Sequence, residues 1–348
     1  MLYSYTEDEY IFNTTWEHSQ VRESSRFDAA LQTKWQKAAD EGALRYRLNI
    51  LSSTVLPGRF AFLAQLNPDR ALNRRAPDNI KSLSQPFDHE KFNFTKVKDV
   101  EILFQVKKEG APENIDDDQV KDFIIINVSP LEFGHSLLVP ALKSCLPQVL
   151  TVHSLELGIE VLLLSASPAF RVGFNSLCGF ATVNHLHLHL YYLQHSMLLE
   201  RIDVNHLSGP CYELINYPAQ GFVFQLSPGC NPAALARAVY KLTSYLQNEN
   251  IAHNVYMTRG KLFNFQHVKS DVLDTVRVYV WARRHSAGVK NREAYDPALC
   301  ELFGHLVIKI ESGYQSLSEQ QVADTLASVC QEPFLLIRES VRHLFAEH

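Results

Sequence analysis

The sequence predicts an α+β protein in which helices flank an antiparallel sheet. Apolar runs of strand length are interrupted by single helical segments, whereas a parallel sheet would require strict alternation of strands and helices. The 348 residues suffice for two domains or one enlarged domain. Each half of the chain has the order strands, helix, strands, which leaves a diverged duplication open.

The first half opens with a helix and continues with strands. Residues 27–48 place apolar side chains on one helical face. Three short apolar runs predict strands, and a helix that begins after Pro147 lies between the last two. The runs are residues 123–127, 136–139 and 160–164. The polar segment 57–98 contains several phenylalanines, which favour an ordered functional loop over a disordered insertion.

The second half combines capped helices with strands. Asn231 and Pro232 are typical of a helix start, Ser318 begins a capping box, and Pro333 is predicted to open a final amphipathic segment. A tight turn is predicted at residues 259–260, between the first two of three strands. These strands are residues 254–257, 262–265 and 276–281.

Charge and composition exclude several classes of function. Lys and Arg total 33 against 38 Asp and Glu, so the formal net charge is −5. This balance argues against a general attraction to nucleic acid or anionic lipid, and an anionic ligand needs a local site. Because no apolar stretch approaches the roughly 18 residues of a membrane span, we expect no membrane partner.

Cysteine usage and the N-terminal residues indicate a reducing compartment. The acidic first ten residues lack the basic flank and apolar centre of a signal peptide, so we expect a cytoplasmic protein. The six cysteines are dispersed without a C-x-x-C pair, which favours reduced, mostly buried thiols over a zinc knuckle or a disulfide framework.

The strongest local signal is the alternation of histidine and leucine over residues 185–190. On a strand, His185, His187 and His189 share one face while the leucines pack the other face into a core. Neighbouring imidazoles and burial both disfavour the cation, so we expect neutral rings near pH 7. The neutral ring is the form that nucleophilic catalysis or metal ligation requires.

Three interpretations of these histidines compete. They could line the wet face of a half-buried sheet, or two of them could share a zinc ion, although no pattern singles out further ligands. The third interpretation is a nucleophile directed at phosphorus and flanked by imidazole donors. It is favoured by the polar, turn-forming segment 175–179, which can place side-chain donors beside the first residues of the strand.

These residues resemble a known superfamily. Residues 180–189 are similar to the histidine-triad signature, in which Ser or Thr precedes H-x-H-x-H, and residues 127–140 resemble that superfamily's nucleotide-binding strand pair. The resemblance narrows to the GDP-hexose phosphorylases, which have a plant GDP-L-galactose branch and an animal GDP-D-glucose branch. It extends from about residue 57 to residue 193 and rests on Ala64-Gln-Leu-Asn-x-x-Arg70, Arg74-Arg75, Gln85-Pro-Phe-Asp88, Phe92-Asn-Phe-Thr-Lys96 and Phe174-Asn-Ser-Leu177.

The resemblance implies a histidine-triad-like (HIT-like) antiparallel sheet with flanking helices, built from two diverged halves packed together. We expect an N-terminal helical segment at residues 1–48, a catalytic half at 49–205 and a degenerate half at 206–348. A homodimer is an open expectation. No cofactor is implied.

Two departures from the related patterns bear on the reaction. Position 189 is His, whereas the plant branch and the galactose-1-phosphate uridylyltransferases have Gln there. This residue favours the animal branch and leaves the balance between phosphorolysis and hydrolysis open. The zinc-binding C-x-x-C of many uridylyltransferases is missing, so we predict no metal.

The implied reaction converts GDP-D-glucose and inorganic phosphate to GDP and glucose 1-phosphate. In the resemblance His187 attacks the α-phosphorus, forms a guanylyl-histidine and should donate its other ring nitrogen to a backbone carbonyl. His185 and His189 would flank it, with Thr182 and Asn175 beside His189 on the phosphate oxygens. A nucleotide-sugar hydrolase and a non-catalytic guanine-nucleotide-binding regulatory protein are the alternatives.

Further residues are predicted to bind the nucleotide and its phosphates. Ser176 lies in the same polar segment as Asn175, and Asn127, by motif position, would bond the ribose hydroxyls. Lys96 and Arg70, with Arg74 and Arg75, are candidates for the phosphates, against the alternative of ordinary surface charge. For Phe92 and Phe94 we expect core packing rather than stacking on guanine.

Overall fold

The computed structural model describes residues 1–16, 24–75, 78–110, 120–263, 271–286 and 294–346. Its helices are α1 (Arg26–Asp40), α2 (Pro68–Asn73), α3 (Val152–Leu164), α4 (Pro232–Asn248), α5 (Leu299–Leu302), α6 (Glu311–Ser316) and α7 (Glu319–Leu344). Its strands are β1 (Leu2–Tyr5), β2 (Thr14–Thr15), β3 (Ser52–Val55), β4 (Leu63–Leu66), β5 (Ile102–Lys108), β6 (Asp122–Ile126), β7 (Ser136–Val139), β8 (Phe170–Asn175), β9 (Leu188–Tyr192), β10 (Asn205–Ser208), β11 (Cys211–Leu214), β12 (Gly221–Gln225), β13 (His253–Gly260), β14 (Val272–Leu273), β15 (Thr275–Ala282) and β16 (His305–Ile308).

Eleven of these strands form one sheet in the order β1-β5-β6-β7-β9-β8-β13-β15-β12-β11-β10. Apart from the parallel pair β1 and β5, neighbours in this sheet run antiparallel. The order β5-β6-β7-β9-β8 is mirrored by β10-β11-β12-β15-β13, and α3 and α4 take equivalent places in the two halves. The predicted α+β fold of two HIT-like halves is confirmed, while the boundaries at residues 48 and 205 stay predictions.

Each face of the sheet has its own hydrophobic core. One face is covered by α1, α3, α4 and the C-terminal part of α7. The other face is covered by α5, the N-terminal part of α7 and a three-stranded sheet of β16, β4 and β3. Because α7 packs on both cores, it passes from one face of the molecule to the other. No helix within the described ranges is both long and apolar enough to span a membrane.

The predicted strand at residues 160–164 is wrong, because this run is the end of α3. From Leu155 to Leu164 the helix is buried at nearly every position, since it packs against α1, α4 and the sheet. A helix that is covered on all sides has no polar stripe, and a short apolar run of this kind has no periodicity that distinguishes it from a strand.

The histidine run is only partly a strand. β9 begins at Leu188, and its pairing with β8 ends at the pair of His189 with Gly173. Before that point the backbone bonds to a loop instead, with Leu186 N–H donating to the Leu146 carbonyl at 2.9 Å. The three leucines of the run are fully buried, as predicted: Leu186, Leu188 and Leu190.

Two further predictions are corrected in the second half. Residues 259–260 are not a turn, because β13 pairs with β15 along its whole length, as far as Gly260 opposite Thr275. Leu262 and Phe263 are not in a strand, and residues 264–265 lie outside the described residues. Pro333 does not open a separate segment but lies within α7, whose packing on both cores offsets one lost backbone hydrogen bond.

Several helix boundaries follow from the sequence. Asn231 caps α4 by accepting from Ala234 N–H, and Ser318 caps α7 by accepting from Gln321 N–H. The first helix ends at Asp40 rather than residue 48, because Gly42 adopts a left-handed φ of 83°. The polar segment 57–98 holds β4 and α2 in its described part, in agreement with an ordered loop.

Candidate active site

Two cavities meet on the face of the first half that carries the histidines. The smaller cavity lies over β6 and β7, while the larger, of about 330 Å³, extends to α5 and β16. Four side chains line both cavities: Arg70, Arg74, Thr182 and His189. Because two guanidinium groups lie at this junction, the arrangement suits a ligand whose two ends are joined by an anionic bridge.

His187 lines the smaller cavity with a fixed tautomer. Its Nδ1 lies 2.7 Å from the carbonyl oxygen of His185, so Nδ1–H donates and the Nε2 lone pair is free to act as a nucleophile. This is the backbone carbonyl contact expected from the sequence. Burial lowers the pKa of His187 to about 4, and the ring is therefore neutral at pH 7.

Gln148 holds the backbone of His187 in place. Its Oε1 accepts from His187 N–H at 2.9 Å, and its Nε2 donates to the carbonyls of His187 and Asn175 at 3.1 and 2.9 Å. Gln148 is itself held by its own N–H, which donates to Asn184 Oδ1. Sequence reasoning missed Gln148, because a single glutamine after Pro147 carries no recognisable pattern.

His189 is oriented by a second buried histidine. Leu131 N–H donates to His135 Nδ1 at 2.9 Å, which places the proton of a neutral His135 on Nε2. That nitrogen lies 3.1 Å from His189 Nδ1 and donates to it. The proton of His189 is then on Nε2. Burial lowers the pKa of both rings well below the ordinary value, so His189 presents one neutral N–H donor.

His185 is set apart from the two cavities. Phe94 N–H donates to its Nδ1 at 3.1 Å, and the rings of Phe87 and Phe94 pack against it with centroids 5.2 and 5.3 Å away. It is not among the side chains that line either cavity. In this position His185 acts on His187 through its backbone carbonyl, and a direct catalytic role for its ring stays a prediction.

The end of β8 brings Asn175 to the larger cavity, and the segment that follows brings Thr182 to the junction. Asn175 Oδ1 accepts from Asn254 Nδ2 at 2.7 Å and from Leu299 N–H at 3.3 Å, which leaves the Asn175 amide NH₂ as the donor for the larger cavity. Ser176 is placed differently. Its Oγ donates to the Leu177 carbonyl and accepts from His253 N–H, and it lines neither cavity.

The predicted cationic residues separate into two groups. Arg70 donates to the Ser129 carbonyl and reaches both cavities with Arg74. Burial, with the neighbouring charge of Arg70, lowers the pKa of Arg74. Lys96 is exposed and donates to three loop carbonyls, those of His89, Glu90 and Lys91, so its phosphate role stays a prediction without support from its position.

The smaller cavity is lined by apolar and polar side chains in similar numbers. Asn127 lines it, accepting from Ser129 N–H at 3.0 Å through Oδ1. The guanidinium of Arg75 stacks over the ring of Phe92, with 3.1 Å between the carbon Cζ and the ring centroid. Phe94 is buried in a small core cluster, in line with packing, yet both phenylalanines also line this cavity.

The part of the chain that the structure describes contains no recognisable metal-binding site. No group of three or more His, Cys, Asp or Glu side chains is placed to hold an ion there. Instead, His185 and His187 bond to backbone groups and His189 bonds to His135.

The mirrored sheet and the tautomer-fixed histidine run define a protein of the HIT-like class. A solved yeast Ap4A phosphorylase, Apa2 in complex with AMP, matches 88% of this chain and 96% of its own with a TM-score of 0.59 at 14% identity, which shows the fold. Family models for the N- and C-terminal domains of GDPGP1-like proteins match residues 26–191 and 197–345. The chain belongs to the GDPGP1-like family.

Curated relatives cover nearly the whole chain. GDP-D-glucose phosphorylase 1 of Danio rerio is 42% identical over 99% of this chain and 96% of its own length. The Homo sapiens protein of the same name is 44% identical over 89% of this chain and 80% of its own. GDP-L-galactose phosphorylase 2 of Arabidopsis thaliana is 33% identical over 85% of this chain and 70% of its own.

Proposed function

We propose that the chain is a GDP-D-glucose phosphorylase, which converts GDP-D-glucose and inorganic phosphate to GDP and glucose 1-phosphate. The observation that supports this function best is a neutral, tautomer-fixed His187 next to a junction lined by arginines. It occurs in a chain that is 42% identical, over 99% of its length, to a GDP-D-glucose phosphorylase.

In the first half-reaction, the Nε2 lone pair of His187 attacks the α-phosphorus of GDP-D-glucose. The bond from this phosphorus to the bridging oxygen breaks, and glucose 1-phosphate leaves with that oxygen. No base is needed, since the nucleophilic nitrogen carries no proton. The ring becomes positively charged in the guanylyl-histidine, and the carbonyl of His185 stabilises this charge through Nδ1–H.

In the second half-reaction, an oxygen of inorganic phosphate attacks the same phosphorus. The nitrogen–phosphorus bond breaks, GDP is released and His187 returns to its neutral form. Both half-reactions develop negative charge on the same non-bridging oxygens. The donors that we assign to these oxygens are His189 Nε2–H, Thr182, the Asn175 amide and Arg70, and loss of one such donor costs on the order of 10²-fold in rate.

The two cavities suit the two ends of the substrate. We assign the nucleoside to the smaller cavity, because His187 lines it and the α-phosphate is attached to the nucleoside. Phe92 and Phe94 offer apolar surface to guanine, and Asn127 offers polar atoms to the ribose. The β-phosphate then lies by Arg70 and Arg74, and the hexose extends into the larger cavity.

A cytoplasmic location and a homodimer remain predictions. All six cysteines are unpaired, which supports a reducing compartment. The division into a helical segment, a catalytic half and a degenerate half at residues 48 and 205 likewise remains a prediction, which limited proteolysis can test.

Replacement of the nucleophile tests the mechanism. We expect His187→Asn to abolish turnover and the trapping of label from GDP-D-glucose labelled at the α-phosphate. His253→Asn is the matched control, because His253 is equally buried and its Nδ1 also bonds to a carbonyl two residues earlier, that of Ile251 at 3.0 Å. Turnover retained in His187→Asn, with a melting temperature like that of the control, would refute the assignment.

The same assay without phosphate separates the alternative functions. A phosphorylase stalls at the guanylyl-enzyme and releases glucose 1-phosphate in a single burst. GMP produced at an undiminished rate would instead identify a nucleotide-sugar hydrolase. Tight GDP binding without turnover of any nucleotide sugar would identify a regulatory protein.

A further inference from the structure

Two buried polar atoms without a hydrogen-bond partner belong to residues that line the larger cavity. They are the side-chain nitrogen Nδ2 of Asn67, a residue 1% exposed, and the carboxylate oxygen Oδ1 of Asp296, a residue 9% exposed. A buried polar atom without a partner destabilises the folded state and is rare in folded proteins. An unpartnered donor and an unpartnered acceptor on residues of one cavity wall suit a ligand that both accepts and donates hydrogen bonds.

Both side chains are held by their other polar atom. Asn67 caps α2, with Oδ1 accepting from Arg70 N–H at 3.2 Å, so its Nδ2 cannot exchange places with Oδ1 without losing the cap. Asp296 Oδ2 pairs with Lys309 Nζ at 2.9 Å. Asn67 Nδ2 and Asp296 Oδ1 are therefore each held in one position before a ligand binds, which lowers the entropy cost of binding.

The other carboxylate that lines this cavity, that of Glu301, already accepts hydrogen bonds from the backbone. Glu301 accepts from Ala298 N–H at 3.0 Å and from Val307 N–H at 3.4 Å, one bond to each oxygen. Glu301 thus stabilises the turn that forms the cavity wall, and Asp296 is the carboxylate available to a ligand. A carboxylate also repels phosphate, which assigns the Asp296 end of the cavity to an uncharged, hydroxyl-bearing group.

We propose that Asn67 and Asp296 form a hexosyl subsite, in which the Asp296 carboxylate accepts from one sugar hydroxyl and the Asn67 amide donates to another. This inference rests on the proposed function, because it assigns the sugar end of the same substrate. The two residues determine specificity rather than reactivity, since they lie beyond the phosphate junction at Arg70 and Arg74. A hydroxyl group is the simplest group that can either donate a hydrogen bond to the carboxylate or accept one from the amide.

The test compares GDP-D-glucose with the methyl ester of GDP, which has the same diphosphate and no hexose. For Asp296→Asn we expect kcat/KM for GDP-D-glucose to fall about 10- to 100-fold, the range for a hydrogen bond to a charged group. Turnover of the methyl ester should be unchanged. Asn67→Ser, which keeps a capping oxygen but removes the amide donor without adding a charge, should show the same selective loss.

Deoxy sugars identify the hydroxyl groups. The deoxy analogue of GDP-D-glucose that lacks the hydroxyl bound by Asp296 should react equally well with wild type and Asp296→Asn. Glu213→Gln is the matched control, because Glu213 is a buried carboxylate paired with Arg338 at 2.7 Å and does not line the cavity. Equal losses on both substrates, or no loss on either, would overturn the subsite.

Failure of the proposed function gives a different result. If the wild type turns over no GDP-hexose, the proposed function is wrong, and the subsite is then tested by calorimetry with glucose 1-phosphate and methyl phosphate. A preference of the wild type for glucose 1-phosphate that disappears in Asp296→Asn supports the subsite. Absence of any preference overturns it.

Discussion

At the scale of single residues, the surroundings of His187 determine the pH range in which it can react. Because burial lowers its pKa to about 4, we predict that guanylylation of the enzyme by GDP-D-glucose has a constant rate down to about pH 5 and slows below it. The measurement is single-turnover rapid quench without phosphate, so that ionisation of inorganic phosphate does not contribute. A midpoint near 6.5, the ordinary histidine value, would contradict the assignment.

The sequence indicated the histidines that we assign to the site but not their different environments. His185, His187 and His189 have the same spacing pattern, yet one packs between phenylalanines, one is fixed by a carbonyl and one accepts from His135. These differences depend on residues that are distant in the chain, such as Phe94 and His135. Periodicity places side chains on a face and gives no information on what the rest of the fold brings to that face.

At the scale of elements, the segment before β9 depends on Gln148. We predict that Gln148→Ala lowers kcat at least about tenfold, because His187 loses its backbone support, while KM changes less since the cavities are intact. The free energy of unfolding should fall by about 1–3 kcal/mol, because buried backbone groups lose their partner. Steady-state kinetics and urea unfolding measure the two effects.

The control for this variant is Gln247→Ala, which removes one side-chain bond to the Leu83 carbonyl and no bond to the backbone of His187. It should lower stability slightly and leave kcat unchanged. An unchanged kcat in Gln148→Ala would show that the pairing of β9 with its neighbours is sufficient to place His187.

Helices with a surface stripe or a cap could be predicted from the sequence, whereas the fully buried end of α3 and the full length of β13 could not. Asn231 and Ser318 mark helix starts because capping is local chemistry. The end of α3 and the full length of β13 were missed because neighbouring elements bury them on both sides. In such segments packing outweighs local preference.

At the scale of the whole molecule, buried neutral histidines make stability depend on pH. Burial lowers the pKa of His185, His187 and His253 to about 4 and that of His305 to about 3. Below about pH 6.5 the unfolded chain takes up protons that the folded protein does not bind, so the free energy of unfolding decreases as the pH falls from about 6.5 towards 4. Each such histidine adds about 1.4 kcal/mol per pH unit to this slope.

Urea unfolding at several pH values between 7 and 5 checks this prediction. The variant His253→Asn should show a smaller slope than the wild type by the contribution of one histidine. A free energy of unfolding that is the same at pH 7 and pH 5 would contradict the neutral, buried state of these rings.

The sequence by itself determined the antiparallel fold class, the histidine run and, through resemblance, the family and the reaction. These features lie in local spacing: histidines at every second residue, and caps beside helices. Only the tertiary structure decided which side chains surround His187 and which residues line the two cavities. The parallel pairing of β16 with β4 brings residues 296–309 next to residues 67–74, more than 200 positions away. Such long-range pairing depends on the packing of the whole sheet, which no local pattern encodes.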